Sequence, residues 1–325
     1  MIISEPCQFN IPDLFIDIPE SNGRLLLKYE GMNFAGSIKF KTAAALVASL
    51  EESGKLRPGM TLVESTSGSL GIALAQIGAV RGYHVVCVID PRCSLRSRQL
   101  MLSLGARLEL VTEAHPTGGF LGARLDCVRK LLAADPDCVW TDQYHNPANW
   151  QVHRSHTGME IVRAFPNQLD VVFVGIGTAG TGMGVAHSIR EHSPGTALVA
   201  IDVVGSVTFG GPPGTRYFSG LGAGVQPVFF DRAMFDDTLL VTEEETVIEC
   251  RHLARRGFVL GASTGSVLAG ARRWLSEHSW RDDLLCVAVA PDGGDPYLTT
   301  LYDDDWVTTT FGPEVLDLER KLAAR

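Results

Sequence analysis

Residues 170–182 read Asp170-Val171-Val172-Phe173-Val174-Gly175-Ile176-Gly177-Thr178-Ala179-Gly180-Thr181-Gly182. An apolar run without polar alternation is what a strand buried on both faces looks like, as in a parallel sheet. The glycines and small hydroxyl residues after it mark a tight turn, and the pattern over residues 181–191 is helical. A strand that enters a helix through such a turn is half of a right-handed crossover, so this stretch selects an open α/β sheet.

The same unit recurs on both sides. Strands are expected over residues 25–29, 61–64, 84–90, 107–111, 138–141, 170–176, 197–202 and 284–290. Helices are expected over residues 38–53, 69–81, 94–104, 119–134, 148–164, 181–191, 243–256 and 265–277. The repeat fills most of 325 residues, too many for one ordinary small domain, which predicts two open α/β lobes, each with a largely parallel sheet. The Gly/Pro-rich stretch 205–227 reads as a loop near a site rather than a linker.

A formal net charge of -9 without a basic run argues against nucleic acid or an anionic membrane as partner. The longest apolar stretches, such as 284–290, are strand-length and far short of a membrane span. Glu5 and Asp13 stand where a signal peptide would be basic and then apolar, so none is expected. The 7 cysteines are odd in number and form no Cys-x-x-Cys pair. They read as reduced core thiols of a cytoplasmic protein, with no metal site.

In open α/β sheets, ligands bind beyond the carboxyl ends of the strands, where the first N–H groups of the next helix are unpaired. Asn33-Phe34-Ala35-Gly36-Ser37-Ile38-Lys39 is one such place. Ser37 is the expected N-cap, which puts Lys39 in the first helical turn, where the macrodipole disfavours a cation and lowers the amine pKa. Gly177 to Gly182 and Ser65-Thr66-Ser67-Gly68-Ser69-Leu70-Gly71 are turns suited to a phosphate and a carboxylate respectively. Gly175-x-Gly177-x-x-Gly180 also matches the bare dinucleotide pattern. It falls mid-chain, however, with only Asp202 as a candidate ribose ligand. Gly261-Ala262-Ser263-Thr264-Gly265-Ser266 opens another helix, and Asp142-Gln143-Tyr144-His145-Asn146-Pro147-Ala148-Asn149 closes a strand. His145, His153 and His156 are close in sequence, and the last two are expected on a helix surface.

Taken in this order and spacing, the loops resemble the fold-type II pyridoxal 5′-phosphate (PLP) enzymes of the cysteine synthase family, from about residue 25 onward. The family's Asn-Pro-Gly-Gly-Ser-x-Lys is similar to Asn33 to Lys39, and its Thr-Ser-Gly-Asn-Thr-Gly is similar to Thr66 to Gly71. The resemblance implies that Lys39 carries PLP as a Schiff base. It implies a phosphate cup from Gly177, Thr178, Ala179, Gly180 and Thr181, and a pyridine-nitrogen partner in Ser263. Ser65, Thr66, Ser67, Gly68 and Gln143 would bind the substrate. The cofactor would lie in the cleft between a large domain, residues 1–35 plus 143–325, and a smaller mobile substrate domain, residues 36–142. Ser69, a cofactor contact, stands where the family usually has asparagine. Phe34-Ala35 replaces Pro-Gly, and the usual Gly-Asn-Thr-Pro segment near the start is absent.

Within the family the chain looks most like the synthases that build 2,3-diaminopropionate precursors for siderophores and peptide antibiotics. The stretches that carry this likeness include Gly118-Gly119-Phe120-Leu121 with Arg124, Gly205-Ser206-Val207 with Phe209-Gly210, and Gly294-Asp295 with Tyr297-Leu298. The resemblance implies β-replacement on an activated serine, O-phosphoserine above all, through an aminoacrylate, with an amine such as glutamate as nucleophile. It also implies a cytoplasmic homodimer. Arg124 and Arg216 are the candidate cations for a leaving phosphate. The competing readings are a cysteine synthase using sulfide, a dehydratase, and a PLP-binding protein whose chemistry has lapsed.

Overall fold

The structure is a computed structural model, and it describes residues 2–19, 24–278 and 284–323. Its strands in chain order are β1 (Phe15–Pro19), β2 (Arg24–Tyr29), β3 (Thr61–Ser65), β4 (His84–Ile89), β5 (Arg107–Leu110), β6 (Cys138–Trp140), β7 (Val171–Gly175), β8 (Ala197–Val203), β9 (Asp237–Val241) and β10 (Leu285–Ala290). The chain divides into two compact units. Met1–Ile11 and Met32–Val152 form the first; Pro12–Gly31 and His153–Arg325 form the second.

The first unit holds a four-stranded sheet in the order β5-β4-β3-β6, parallel throughout. Both faces are covered, which is why these strands are apolar runs without alternation. Leu62, Val85, Cys87 and Ile89 face one way and pack with the helices Lys39–Glu52 and Ser69–Arg81. Val63, Val86 and Val88 face the other way, onto Val128 of the helix Gly119–Ala134. The sequence reading divided the chain at residues 36 and 142. The contacts divide it near 32 and 152, because the stretch after β6 is tied back to β3 by hydrogen bonds from Gln143.

The second unit holds a six-stranded sheet in the order β1-β2-β10-β7-β8-β9, with β1 antiparallel at one edge and all other pairs parallel. Leu25, Leu27, Phe173, Val199, Ile201 and Ala288 pack against the helix Ala262–Glu277. Lys28 is fully buried on β2. Its ammonium lies 3.0 Å from Glu160 and 3.7 Å from Glu30, donates to Pro12 O at 2.5 Å, and sits 5.3 Å from the centre of the Phe15 ring.

One expected helix is interrupted. Residues 148–164 form Ala148–His153, a π-turn Arg154–Gly158, and Met159–Ala164. The Ser188 hydroxyl donates to Arg154 O at 2.5 Å, competing for a carbonyl of the helical ladder. A Cβ on Gly158 would come within 2.6 Å of Ser188, so this side of the turn must lie close to the helix Gly180–His192. Cys87, Cys93, Cys127, Cys138, Cys250 and Cys286 are free, and Cys87, Cys93, Cys250 and Cys286 are buried. No helix among the described residues is long and apolar enough to cross a membrane.

Candidate active site

Lys39 is the first residue of its helix, but Ser37 does not cap it. Asn33 organises the loop instead: its Oδ1 accepts from Ala35 N at 3.0 Å and Ser37 N at 3.4 Å, and its Nδ2 donates to Ser37 O at 2.9 Å. Ile38 takes the N-cap position with helical dihedrals, and the Ser37 hydroxyl is buried without a hydrogen-bond partner. Gln76 Nε2 donates to Phe34 O at 2.6 Å and pins the loop to the helix Ser69–Arg81. The Lys39 amine is lowered to about 8. The largest cause is burial, which the sequence reading did not foresee, opposed by the negative charge of Glu64.

After β3 the chain turns through Thr66-Ser67-Gly68 into the helix Ser69–Arg81. Gly68 has φ +147°, a conformation open to glycine, and Thr66 Oγ1 accepts from Gly68 N at 3.0 Å and Gly71 N at 3.1 Å. What Thr66 can offer a ligand is therefore its hydroxyl proton. Ser67 is exposed and Ser69 half-buried. Gln143 is buried, and its Nε2 donates to Ser65 O at 2.9 Å, so the residues expected to grip a carboxylate are brought together. The Ser65 hydroxyl lies 3.3 Å from the Tyr144 hydroxyl. Burial pushes Tyr144 up to about 12, and the charge of Arg124 is the largest influence opposing it.

Arg124 is 7% exposed. Its Nε lies 3.5 Å from Asp90 Oδ2, too long for a good hydrogen bond, and neither Nε nor Nη1 has a hydrogen-bond partner in the protein. A buried guanidinium with unclaimed N–H groups is suited to an anion.

The second unit carries the remaining expected residues. The helix Gly180–His192 begins after Ala179, which is left-handed at φ +68°. The first N–H groups of such a helix have no acceptor within it and favour an anion. Gly177 cannot be replaced freely, since a Cβ there would lie 2.3 Å from Gly220 O. Gly220 also meets Ser263, the second residue of the helix Ala262–Glu277: its own Cβ would fall 2.4 Å from Ser263 Oγ. Thr181 Oγ1 is 3.4 Å from His153 Nε2, and His153 Nδ1 is 3.1 Å from Thr157 Oγ1. His153 is thus fully buried rather than on a helix surface, while His156 is exposed. Asp202 is buried and accepts from Val203 N at 2.8 Å, which turns it inward, away from any ribose. Arg216 Nη1 donates to Gly205 O at 2.5 Å and Ala223 O at 3.1 Å, joining the two ends of the irregular loop.

Sequence reasoning assigned no role to Glu64, Tyr144, His153 or Gly220. For Glu64 a signal existed: a lone acid in the strand-length run Thr61-Leu62-Val63-Glu64.

A half-buried amine of lowered basicity suits an aldehyde, a helix start over a glycine turn suits a phosphate, and an uncharged hydroxyl at Ser263 suits a pyridine nitrogen. These are the fittings of an α/β enzyme that works with a phosphorylated aldehyde cofactor. The chain belongs to the family described as "Pyridoxal-phosphate dependent enzyme", which matches residues 12–292, and its cofactor is PLP. It is 38% identical, over 86% of its length and 82% of the relative's, to an N-(2-amino-2-carboxyethyl)-L-glutamate synthase of Ralstonia nicotianae. Its structure is similar to that of O-ureido-L-serine synthase, with TM-score 0.85, 30% identity and coverage of 95% of this chain and 100% of the other. It is also similar to an O-acetylserine dependent cystathionine beta-synthase from Helicobacter pylori, with TM-score 0.86, 26% identity and coverage of 92% and 98%.

Proposed function

We propose that this enzyme replaces the β-substituent of an activated serine, with O-phospho-L-serine as donor and an amine such as L-glutamate as nucleophile, giving a 2,3-diaminopropionate precursor. The observation that carries the donor is Arg124, a buried guanidinium whose Nε and Nη1 have no hydrogen-bond partner in the protein and whose ion pair to Asp90 is long at 3.5 Å, on the same unit as Ser65, Tyr144 and Gln143. The relative from Ralstonia supports the nucleophile through its name.

PLP supplies the electron sink for cleavage at the α- and β-carbons. Lys39 holds the cofactor and, once released, moves the α-proton as general base, a role suited to an amine of pKa about 8. The Thr66 hydroxyl, Ser67 and the Gln143 amide bind the α-carboxylate. Arg124, aided by Tyr144, takes the leaving phosphate. Gly177, Thr178, Ala179, Gly180 and Thr181 would hold the cofactor's phosphate, and Ser69 would be a further cofactor ligand. Ser263 offers the pyridine nitrogen a neutral hydroxyl, which does not fix a positive charge there. Arg216, engaged with Gly205 and Ala223, shapes the loop and stands second to Arg124 as a phosphate ligand. We place the enzyme in the cytoplasm as a homodimer, serving siderophore or antibiotic biosynthesis.

The test offers O-phosphoserine and O-acetylserine separately, each with glutamate, sulfide or no acceptor, and identifies products by mass. Coupling of phosphoserine to glutamate is the expected result; turnover of acetylserine with sulfide alone would make the enzyme a cysteine synthase. Arg124→Ala should raise the KM for phosphoserine by roughly 30-fold or more, as for a lost buried charge pair, and spare any activity on acetylserine.

A further inference from the structure

Glu64 is fully buried at the end of β3. Its Oε1 accepts from Ser65 N at 2.8 Å and Trp140 Nε1 at 3.3 Å; its Oε2 accepts from the Thr141 hydroxyl at 2.5 Å and Gln143 N at 3.2 Å. Four donors converge on two oxygens, which is the environment of an ionised carboxylate, an acceptor-only group. Three of these donors come from the end of β6 and the turn after it, 76–79 residues away in the chain. Between Thr141 and Gln143 lies Asp142 at φ +51°, a left-handed conformation that a non-glycine residue keeps only when its surroundings impose it. Glu64 holds the residues on both sides of this strained position. Gln143 is further fixed by Nε2 to Ser65 O and by Asn149 Nδ2, which donates to Gln143 O at 2.6 Å.

We propose that the Glu64 carboxylate is a positioning residue for donor binding: in its ionised form it holds Ser65 and Gln143 in register to take the α-carboxylate, and its protonation on the acid side loosens that grip. The inference rests on the reading of Gln143 as a carboxylate ligand. Burial raises Glu64 to about 7, against the hydrogen bonds of Thr141, Gln143 and Trp140, so the change falls near neutrality. The groups facing it are Lys39 from the helix Lys39–Glu52, Cys87 from β4, and Asp142 and Tyr144 from the turn after β6. Cys87 and Tyr144 stay neutral in this range, and in the PLP-loaded enzyme the Lys39 amine is taken up in its bond to the cofactor. His145 meets Asp142 at 3.0 Å and packs against Trp140, and Arg124 bears on Tyr144.

The experiment measures equilibrium binding to the PLP-loaded enzyme by its visible spectrum, with O-phosphoserine and with L-serine, which has the α-carboxylate but a poor leaving group. Wild type should lose about tenfold in affinity for both from pH 8 to pH 6, with affinity expressed on the free-amine form of each amino acid, the equivalent of one hydrogen bond to a charged group. In Glu64→Gln the amide nitrogen must replace one of the two oxygens, so it faces either the Ser65 and Trp140 N–H donors or the Gln143 N–H and the Thr141 hydroxyl. Affinity should be weak and flat with pH, while PLP content and the unfolding midpoint are close to wild type. Thr141→Val removes a donor that stabilises the ionised form, so its acid limb should move to higher pH; this variant keeps the test open should Glu64→Gln not fold. His145→Asn should leave the limb in place. A pH-independent wild type, a Glu64→Gln variant that keeps the wild-type profile, or a limb that follows His145 would each overturn the proposal. Serine binding without phosphoserine binding would overturn the donor assignment alone.

Discussion

Lys39 shows how far a single residue can be read from the sequence. Its place at a helix start was legible, and so was the direction of its shift, but the physical cause was not. Burial depends on what packs around the amine, and no local pattern reports it. With the amine at about 8, the neutral fraction rises as pH increases through that value. Covalent capture of added PLP by the apo protein should therefore speed up between pH 7 and pH 9 and then level off. Stopped-flow absorbance would show it, and a rate flat over that range would mean that the amine is not titrating there. The same limit hid Glu64 and Tyr144. Their partners, Thr141 and Gln143 for one and Ser65 for the other, lie more than seventy residues away, so only the folded sheet makes them neighbours.

At the scale of elements, apolar runs bounded by turns located β2 to β8 and β10 to within a residue or two, and the helices Ser69–Arg81 and Gly119–Ala134 to the residue. The strands that escaped are the two sheet edges. β1 is short and ends in Pro19, and β9 is half-buried along most of its length, so neither gives the unbroken run that marked the inner strands. The π-turn at Arg154–Gly158 escaped as well, because its cause, the Ser188 hydroxyl, sits on another helix. The glycine turn before the helix Gly180–His192 was legible, but the reason for Gly177 was not: the wall it avoids is Gly220, from the irregular loop. Gly177→Ala should therefore weaken PLP binding by about tenfold or more, since the new methyl group must displace backbone rather than a pliable side chain. Spectroscopic titration of the apo protein would measure this, and unchanged affinity would show that the loop yields.

For the whole molecule, each unit combines an apolar sheet core with buried charge: Arg124 beside Asp90 in the first, and the Lys28 ammonium among Glu30 and Glu160 in the second. Lys28→Met keeps most of the volume but strands two buried carboxylates without that cation. It should cost about 3–5 kcal/mol in chemical denaturation, and a loss under about 1 kcal/mol would mean that water reaches the site. The order of strands in the second sheet also matters during synthesis. β2 leaves the ribosome early, yet its parallel partner β10 begins only at Leu285. The first unit has all its strands once Trp140 has emerged, so it can fold on the nascent chain, while β2 keeps a bare edge until β10 has been made. A stop between residues 141 and 284 would thus release a polypeptide with one finished unit and β2 lacking its parallel partner, a substrate for chaperones.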